Sequence, residues 1–364
     1  MAGLSVGIIG LPNVGKSTLF NALTSVMAAA SNYPFCTIEP NVGVGEVFDP
    51  RLSILSVLSN SAKIVYASVQ FVDIAGLVEG ASKGEGLGNK FLANIRETDA
   101  IVHVVRCFES SDIVHVSGQI DPIQDIQVIN IELCLADLQM VENAISRLEK
   151  QAKSRKDLLP LLDCLAKTRD HLNHSKPIRT LDLTSAEVEL LKPYSFLTNK
   201  KVLYAANVAE NDLPSMENAY VQRVREFAKG EGNSVIGICA KLEEEIAQLP
   251  SSERKMYLES LGLQESGLQR LIRSSFDMLD LITFLTTGDM ESRAWTIKKG
   301  TNAYDAAAKI HTDIQKGFVR AEVIAYSDFV NYKGRAGVKE AGKIRYEGRD
   351  YIVKDGDVII FMHH

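Results

Sequence analysis

Nine residues near the start of the chain, Gly10-Leu-Pro-Asn-Val-Gly-Lys-Ser-Thr18, have the types and spacing needed to hold a polyphosphate. The pattern is G-x-x-x-x-G-K-[ST], and its setting is the one this chemistry requires. An apolar run, Leu4–Ile9, precedes it and a helix-forming run, Leu19–Leu23, follows. Gly10 and Gly15 let the backbone close around phosphates, and the loop N–H groups can point inward. The helix that opens near Lys16 adds the positive end of its dipole. The Lys16 ammonium can reach the β- and γ-phosphates, and the Ser17 hydroxyl can hold Mg²⁺.

Hydrolysis needs more than a cradle. It needs a group on the metal side and a contact that senses the γ-phosphate. Asp73-Ile-Ala-Gly76 ends an apolar strand-like run, which puts Asp73 near the metal shell and the Gly76 N–H near the γ-phosphate. Thr37 lies between the first helix and the next strand, where an ordering loop would place a hydroxyl on Mg²⁺. Water-activating switch proteins carry Gln after the glycine; here it is Leu77, which cannot hydrogen-bond water. His115 is a candidate to orient that water, and a packing or surface histidine is the competing reading.

The base-reading loop is also unusual. A guanine reader carries Asn-Lys-x-Asp, and the chain contains no such sequence. It has Asn207-Val-Ala-Glu210, with Val208 where the base-stacking lysine would be and a longer carboxylate at Glu210. Losing a bidentate base contact costs roughly 1–3 kcal/mol of discrimination. Guanine specificity is therefore expected to be weak or absent. Cys239-Ala-Lys241 fits a second base-side loop, with the N–H groups of Cys239 and Ala240 available.

The elements that must position these groups follow from periodicity. Residues 1–130 alternate strands (Ser5–Ile9, Val42–Val47, Ser68–Asp73, Ala100–Arg106) with helices, which implies an α/β fold with a mostly parallel sheet. From Ile131, apolar residues recur at threes and fours through Cys134, Leu138, Val141, Ile145, Leu148 and Ala152. A basic stretch follows (Arg147, Lys150, Lys153, Arg155, Lys156), then a second apolar helix from Leu158 to Leu172. This pattern predicts a helical hairpin over 131–197, with a capping box at Thr184-Ser-Ala-Glu187. The α/β pattern resumes with strands Lys201–Ala206 and Ser234–Cys239 and a helix Gly267–Leu279, giving a nucleotide domain of 1–130 plus 198–280. Residues 281–364 read as a small α+β module: strands Ile282–Thr286, Arg320–Ala325, Asp350–Ile352 and Val358–Met362 around one helix, Asn302–Gln315.

The bulk properties agree. The chain has 364 residues, 46% hydrophobic and 24% charged, with net charge −6. That balance excludes a generally basic nucleic-acid binder, so any RNA contact must be local. Five scattered cysteines form no zinc pattern and suggest reduced thiols. No run approaches membrane-spanning length, and a first strand so near the start leaves no room for a cleaved leader, so a cytoplasmic location is expected.

Together these residues resemble the YchF family, an Obg-related branch of the TRAFAC-class phosphate-loop proteins. The resemblance rests on the motifs above with Tyr33-Pro-Phe-Cys-Thr-Ile-Glu-Pro-Asn41 and Gly84-Glu-Gly-Leu-Gly-Asn89, in the family's order over essentially the whole chain. It implies a nucleotide domain interrupted by a helical hairpin and a C-terminal TGS domain of ubiquitin-like fold. It implies a slow ATPase rather than a GTPase, and binding to the ribosome through the large subunit or the whole particle, with no membrane or DNA partner. By residue it implies phosphate contacts from Asn13, Val14, Gly15, Lys16, Ser17 and Thr18, Mg²⁺ on Ser17 and Thr37, adenine on Asn207 with Val208 packed against it, a hydrolytic role for His115, and K⁺ near Asn13. A GTP-hydrolysing translation factor, and a nucleotide-gated binding module with negligible turnover, remain open alternatives.

Overall fold

A computed structural model of the chain describes residues 4–28, 41–74, 87–110 and 120–364. Two compact units emerge: residues up to Val44 with Gln70–Leu271, and Gly45–Val69 with Ile272–His364. The strands, in chain order, are β1 (Ser5–Ile9), β2 (Val42–Val47), β3 (Ile64–Val65), β4 (Ala67–Asp73), β5 (Ala100–Arg106), β6 (Val202–Asn207), β7 (Ser234–Ile238), β8 (Leu281–Thr287), β9 (Ser292–Lys298), β10 (Phe318–Ile324), β11 (Arg345–Glu347) and β12 (Val358–His363).

The first unit is built on the sheet ordered β2-β4-β1-β5-β6-β7. β1 pairs in parallel with β4 and β5, β5 with β6, and β6 with β7. Parallel pairing sends these strand ends to one edge, which brings distant loops together there. β5 and β6 are buried along their whole length, as near-continuous apolar strands between helical layers must be. Asp73, Arg106 and Asn207 each end a strand.

The hairpin helix starts earlier than its seam predicts, at Pro122, with the Asp121 side chain accepting from the N–H groups of Ile123 and Gln124. The early start gives one helix two tasks. Ile126, Ile129 and Leu133 pack into the core around the sheet. From Cys134 onward, Val141, Ala144, Ile145 and Leu148 pack against Cys164, Leu165 and Leu172 of the helix Leu159–Asn173. Ile131, expected in the seam, is 41% exposed, because the helix face turns as it passes from one core to the other. Thr184 and Glu187 form the expected reciprocal cap. Arg179 bonds the carboxylate of Glu231 and the carbonyl oxygen of the Asn130 side chain, and the Tyr204 hydroxyl donates to Glu231 at 2.8 Å. This buried network ties the hairpin region to the sheet.

The second unit carries the mixed sheet β11-β10-β12-β8-β9-β3. Phe284, Ile297, Phe318, Val323 and Phe361 pack with Ala303, Ala306 and Ala307 of the helix Ala303–Ile310. Three expectations fail here. Residues 45–69, assigned from sequence to the α/β domain, belong to this unit. Their helix Pro50–Ser59 is capped by Asp49, and its Arg51 guanidinium bonds Asp49, Asp355 and Thr283. The predicted helix Asn302–Gln315 breaks at His311, whose extended backbone (φ −162°) ends one helix while its ring caps the next, Thr312–Lys316. Asp350–Ile352 is no strand and makes one isolated bridge, Asn302 to Ile352.

Candidate functional site

At the edge where β1, β4, β5 and β6 end, a cavity of about 960 Å³ opens. The loop after β1 forms one wall. Asn13 (φ 63°) and Gly15 (φ 94°) both take the left-handed conformation, which curls the backbone into a cup. A Cβ on Gly15 would lie 2.2 Å from the Asn207 amide nitrogen, so glycine is needed both for conformation and for space. Val14 anchors the loop in the core at 1% exposure. Asn13 and Ser17 are exposed and Thr18 half-buried; all three line the cavity.

Lys16 opens the helix Lys16–Ala28. Its side chain is nearly buried, and its ammonium pairs directly with the Asp73 carboxylate. The two residues thus meet although 57 positions separate them. A buried ammonium needs a counter-anion or another acceptor, and a phosphate at the cup would meet that need equally well. The donor set therefore fits a Mg²⁺-polyphosphate: a curled amide loop, a shielded lysine, the cavity-lining residues Ser17 and Thr18 with their hydroxyls, and a carboxylate at the strand end.

The base-side loops meet this wall through Asn207, which is 4% exposed. Its amide nitrogen donates to the Val14 carbonyl at 2.8 Å, and its amide oxygen accepts from the Ala240 N–H at 3.0 Å. One carboxamide therefore clasps the phosphate loop to the second base-side loop. The expected Ala240 N–H is already engaged by this clasp. Val208 is buried in the apolar core while still contributing to the cavity wall. Glu210 ion-pairs with Lys241 at 3.1 Å, and both side chains are exposed. Cys239 is buried, and burial pushes its thiol above the ordinary range; it acts as packing, with no nucleophilic character.

Thr37, Gly76, Leu77 and His115 lie outside the described residues. Sequence reading missed the loop after β5. Arg106, 1% exposed, donates to the Phe108 carbonyl at 3.2 Å and sits 4.6 Å from that ring's centre. Asn218, which caps the helix Ala219–Glu231, donates to the Cys107 carbonyl at 2.8 Å. These contacts hold Phe108, Glu109 and Ser110 on the cavity wall. The one available signal was the cap-type Asn218 before a helical run.

Residues 5–144 match a family model described as 50S ribosome-binding GTPase. Residues 281–364 match the YchF GTPase C-terminal model, described as a protein of unknown function. The chain is 56% identical over 360 residues to the Ribosome-binding ATPase YchF of Pasteurella multocida, covering 99% of each chain. Against the proteins of the same name from Escherichia coli O157:H7 and Bacillus subtilis, identity is 53% and 52%, with coverage of 99% and 98% of each chain. The solved Schizosaccharomyces pombe YchF GTPase superposes with a TM-score of 0.90 at 35% identity, over 100% of this chain and 98% of that one. The α/β phosphate-loop fold of the GTPase type is thereby established for the first unit, and the chain belongs to the YchF family.

Proposed function

We propose that the chain is a Mg²⁺-dependent ATPase that prefers ATP to GTP and acts as a nucleotide-controlled, ribosome-associated switch in the cytoplasm. The observation that carries the nucleotide preference is the base end of the cavity. Val208 is turned into the core and Glu210 is engaged by Lys241, an arrangement with neither the stacking lysine nor the short free carboxylate of a guanine reader. Direct titration of ATP and GTP is the test, with ATP expected to bind at least tenfold more tightly. GTP binding tenfold more tightly would overturn the preference and favour the GTPase reading, in line with the name of the fission-yeast relative, YchF GTPase.

At the phosphate end, Lys16 supplies a positive charge to the terminal phosphates, and Asp73 stands on the metal side. Ser17, with Thr37, would hold Mg²⁺, which when bound neutralises charge developing on the transferred phosphoryl group. Gly76 supplies the γ-phosphate contact, and the loop that carries Asn207, Val208 and Glu210 lies on the base side of the cavity. With Leu77 unable to hold water, His115 is assigned that task; unchanged turnover in a His115→Ala variant would remove it. K⁺ near Asn13 is tested by exchanging K⁺ for Na⁺ in the turnover assay.

Ribosome association is supported by the names of the relatives and by the hairpin tip, where Lys150, Lys153 and Lys156 are exposed. Arg155 is engaged by Asp157 at 2.6 Å. No helix among the described residues is long and apolar enough to cross a membrane. Co-sedimentation with large subunits and whole ribosomes at two salt concentrations is the check, with binding expected to weaken as salt rises.

A further inference from the structure

A second cavity, of about 680 Å³, lies in the first unit away from the phosphate loop. Its walls come from the helix Leu87–Glu97, from the helix Pro122–Ala152 and from Tyr194. The polar groups on it are Asn89, Arg96, Gln139, Asn143, Arg147 and Tyr194. They comprise two guanidinium groups, three carboxamides and a phenol, with no carboxylate among the described residues of the lining. The apolar part, Leu92, Ala136, Met140 and Ala144, recurs at helical spacing between them.

Three observations say that this lining is short of an anion. The Arg96 Nε is buried and has no hydrogen-bond partner among the described residues. Neither Arg96 nor Arg147 forms an ion pair with any described residue. Asp137, whose pKa burial raises against the opposing pull of its hydrogen bonds and of the nearby Arg96 charge, is itself buried and already accepts from the Leu197 N–H and from both the N–H and hydroxyl of Thr198. A buried donor without an acceptor is uncommon in folded proteins. A guanidinium fork matches phosphate oxygens two at a time. The volume is that of a small-molecule site rather than of a single ion. Tyr194 stacks on Phe196 with centroids 5.4 Å apart and planes 6° apart, which holds one aromatic wall flat.

We propose that this cavity is a binding site for a small organic phosphate of about nucleotide size, separate from the phosphate-loop site. Arg96 and Arg147 bind its phosphate, and the carboxamides and Tyr194 hold the remainder.

In the full chain carrying Lys16→Ala, phosphate-loop binding is weakened, and the arginine variants then assign what binding remains to the second cavity. Calorimetric titration with pyrophosphate, AMP and GMP is expected to give saturable binding of at least one of them, weakened at least tenfold by Arg147→Gln. Arg147 is exposed, so this variant tests charge without disturbing the core. Arg96→Lys, which keeps the charge and loses the fork, is expected to weaken binding by less than Arg96→Gln. Absence of saturable binding by all three probes overturns the proposal, as does binding unchanged in both Arg147→Gln and Arg96→Gln. A single-stranded RNA oligonucleotide that binds more tightly than every small probe, and loses affinity in the same variants, overturns the small-ligand assignment.

Discussion

The two ends of the nucleotide cavity are built on different principles. At the phosphate end, two residues in left-handed conformation, a nearly buried lysine and a strand-end carboxylate are locked by backbone geometry and charge. At the base end, an exposed ion pair, Glu210 with Lys241, stands over an apolar residue turned into the core. The phosphate end tolerates little change, because every group there is fixed by several others. The base end is set by side chains at the surface, so its selectivity can change without disturbing the fold. Asn207 is the joint between them.

The sharpest way to break this contrast is at Lys16. Lys16→Ala removes a charge-assisted contact to the phosphates and is expected to weaken ATP and GTP alike by roughly 10- to 100-fold, measured by titration. A loss confined to one nucleotide would show that the phosphate end also selects. Next in size is the joint. Asn207→Ala strands the Val14 carbonyl and the Ala240 N–H, both now without the partner they share, at a cost of about 2 kcal/mol. Thermal and chemical unfolding should show that loss even without nucleotide, and affinity for both nucleotides should fall together.

A double change at the base end, Val208→Lys with Glu210→Asp, restores the guanine-reading types. The ratio of GTP to ATP affinity is expected to rise about tenfold, within the 1–3 kcal/mol range for a bidentate contact. An unchanged ratio would mean that selectivity resides elsewhere on the wall.

The phosphate end also carries a pH dependence through His103. This residue is β5's partner to Ile9, the last residue of β1, and is 2% exposed. Burial, with the Arg179 charge nearby, lowers its pKa to about 3. The unfolded chain takes up the proton near its ordinary pKa of about 6.5, so the folded state loses stability as pH falls from there towards 3. The slope contributed is at most about 1.4 kcal/mol per pH unit. His103→Leu should flatten stability against pH across that window, and an unchanged profile would sink the assignment. Smallest of all is Lys241→Ala. The pair it breaks is exposed and screened by solvent, so the midpoint of a thermal melt should hardly move, and a clear drop would show that the pair bears on the fold.

Legibility in the sequence followed how local each cause was. The phosphate loop was readable because Gly15 must adopt a conformation that few other residues take. β5 and β6 were readable because strands buried on both faces are nearly continuous runs of apolar residues. The cap at Thr184 was readable because its partners are three residues apart. The misses had distant causes. β9 alternates Arg293 and Trp295 with smaller residues and offers no continuous apolar signal, and β3 is two residues long. Nothing within residues 45–69 marks them as part of the second unit; Asp355 and Thr283, which receive Arg51, are hundreds of positions away. At the site, sequence pointed to Asn207 as a reader of the base, and its structural role as a clasp depends on loops brought together only by the sheet.

The helix that leaves the sheet at Pro122 and ends at Ala152 has a mechanical consequence. Its 31 residues form a rod about 46 Å long at about 1.5 Å per residue. Its near end is embedded beside the sheet, and its far end carries the exposed lysines. A tilt of about 5° at the embedded end sweeps the far end through roughly 4 Å. That is the length of a lever arm, and it turns sub-ångström repacking around the sheet into a displacement that a large partner can feel.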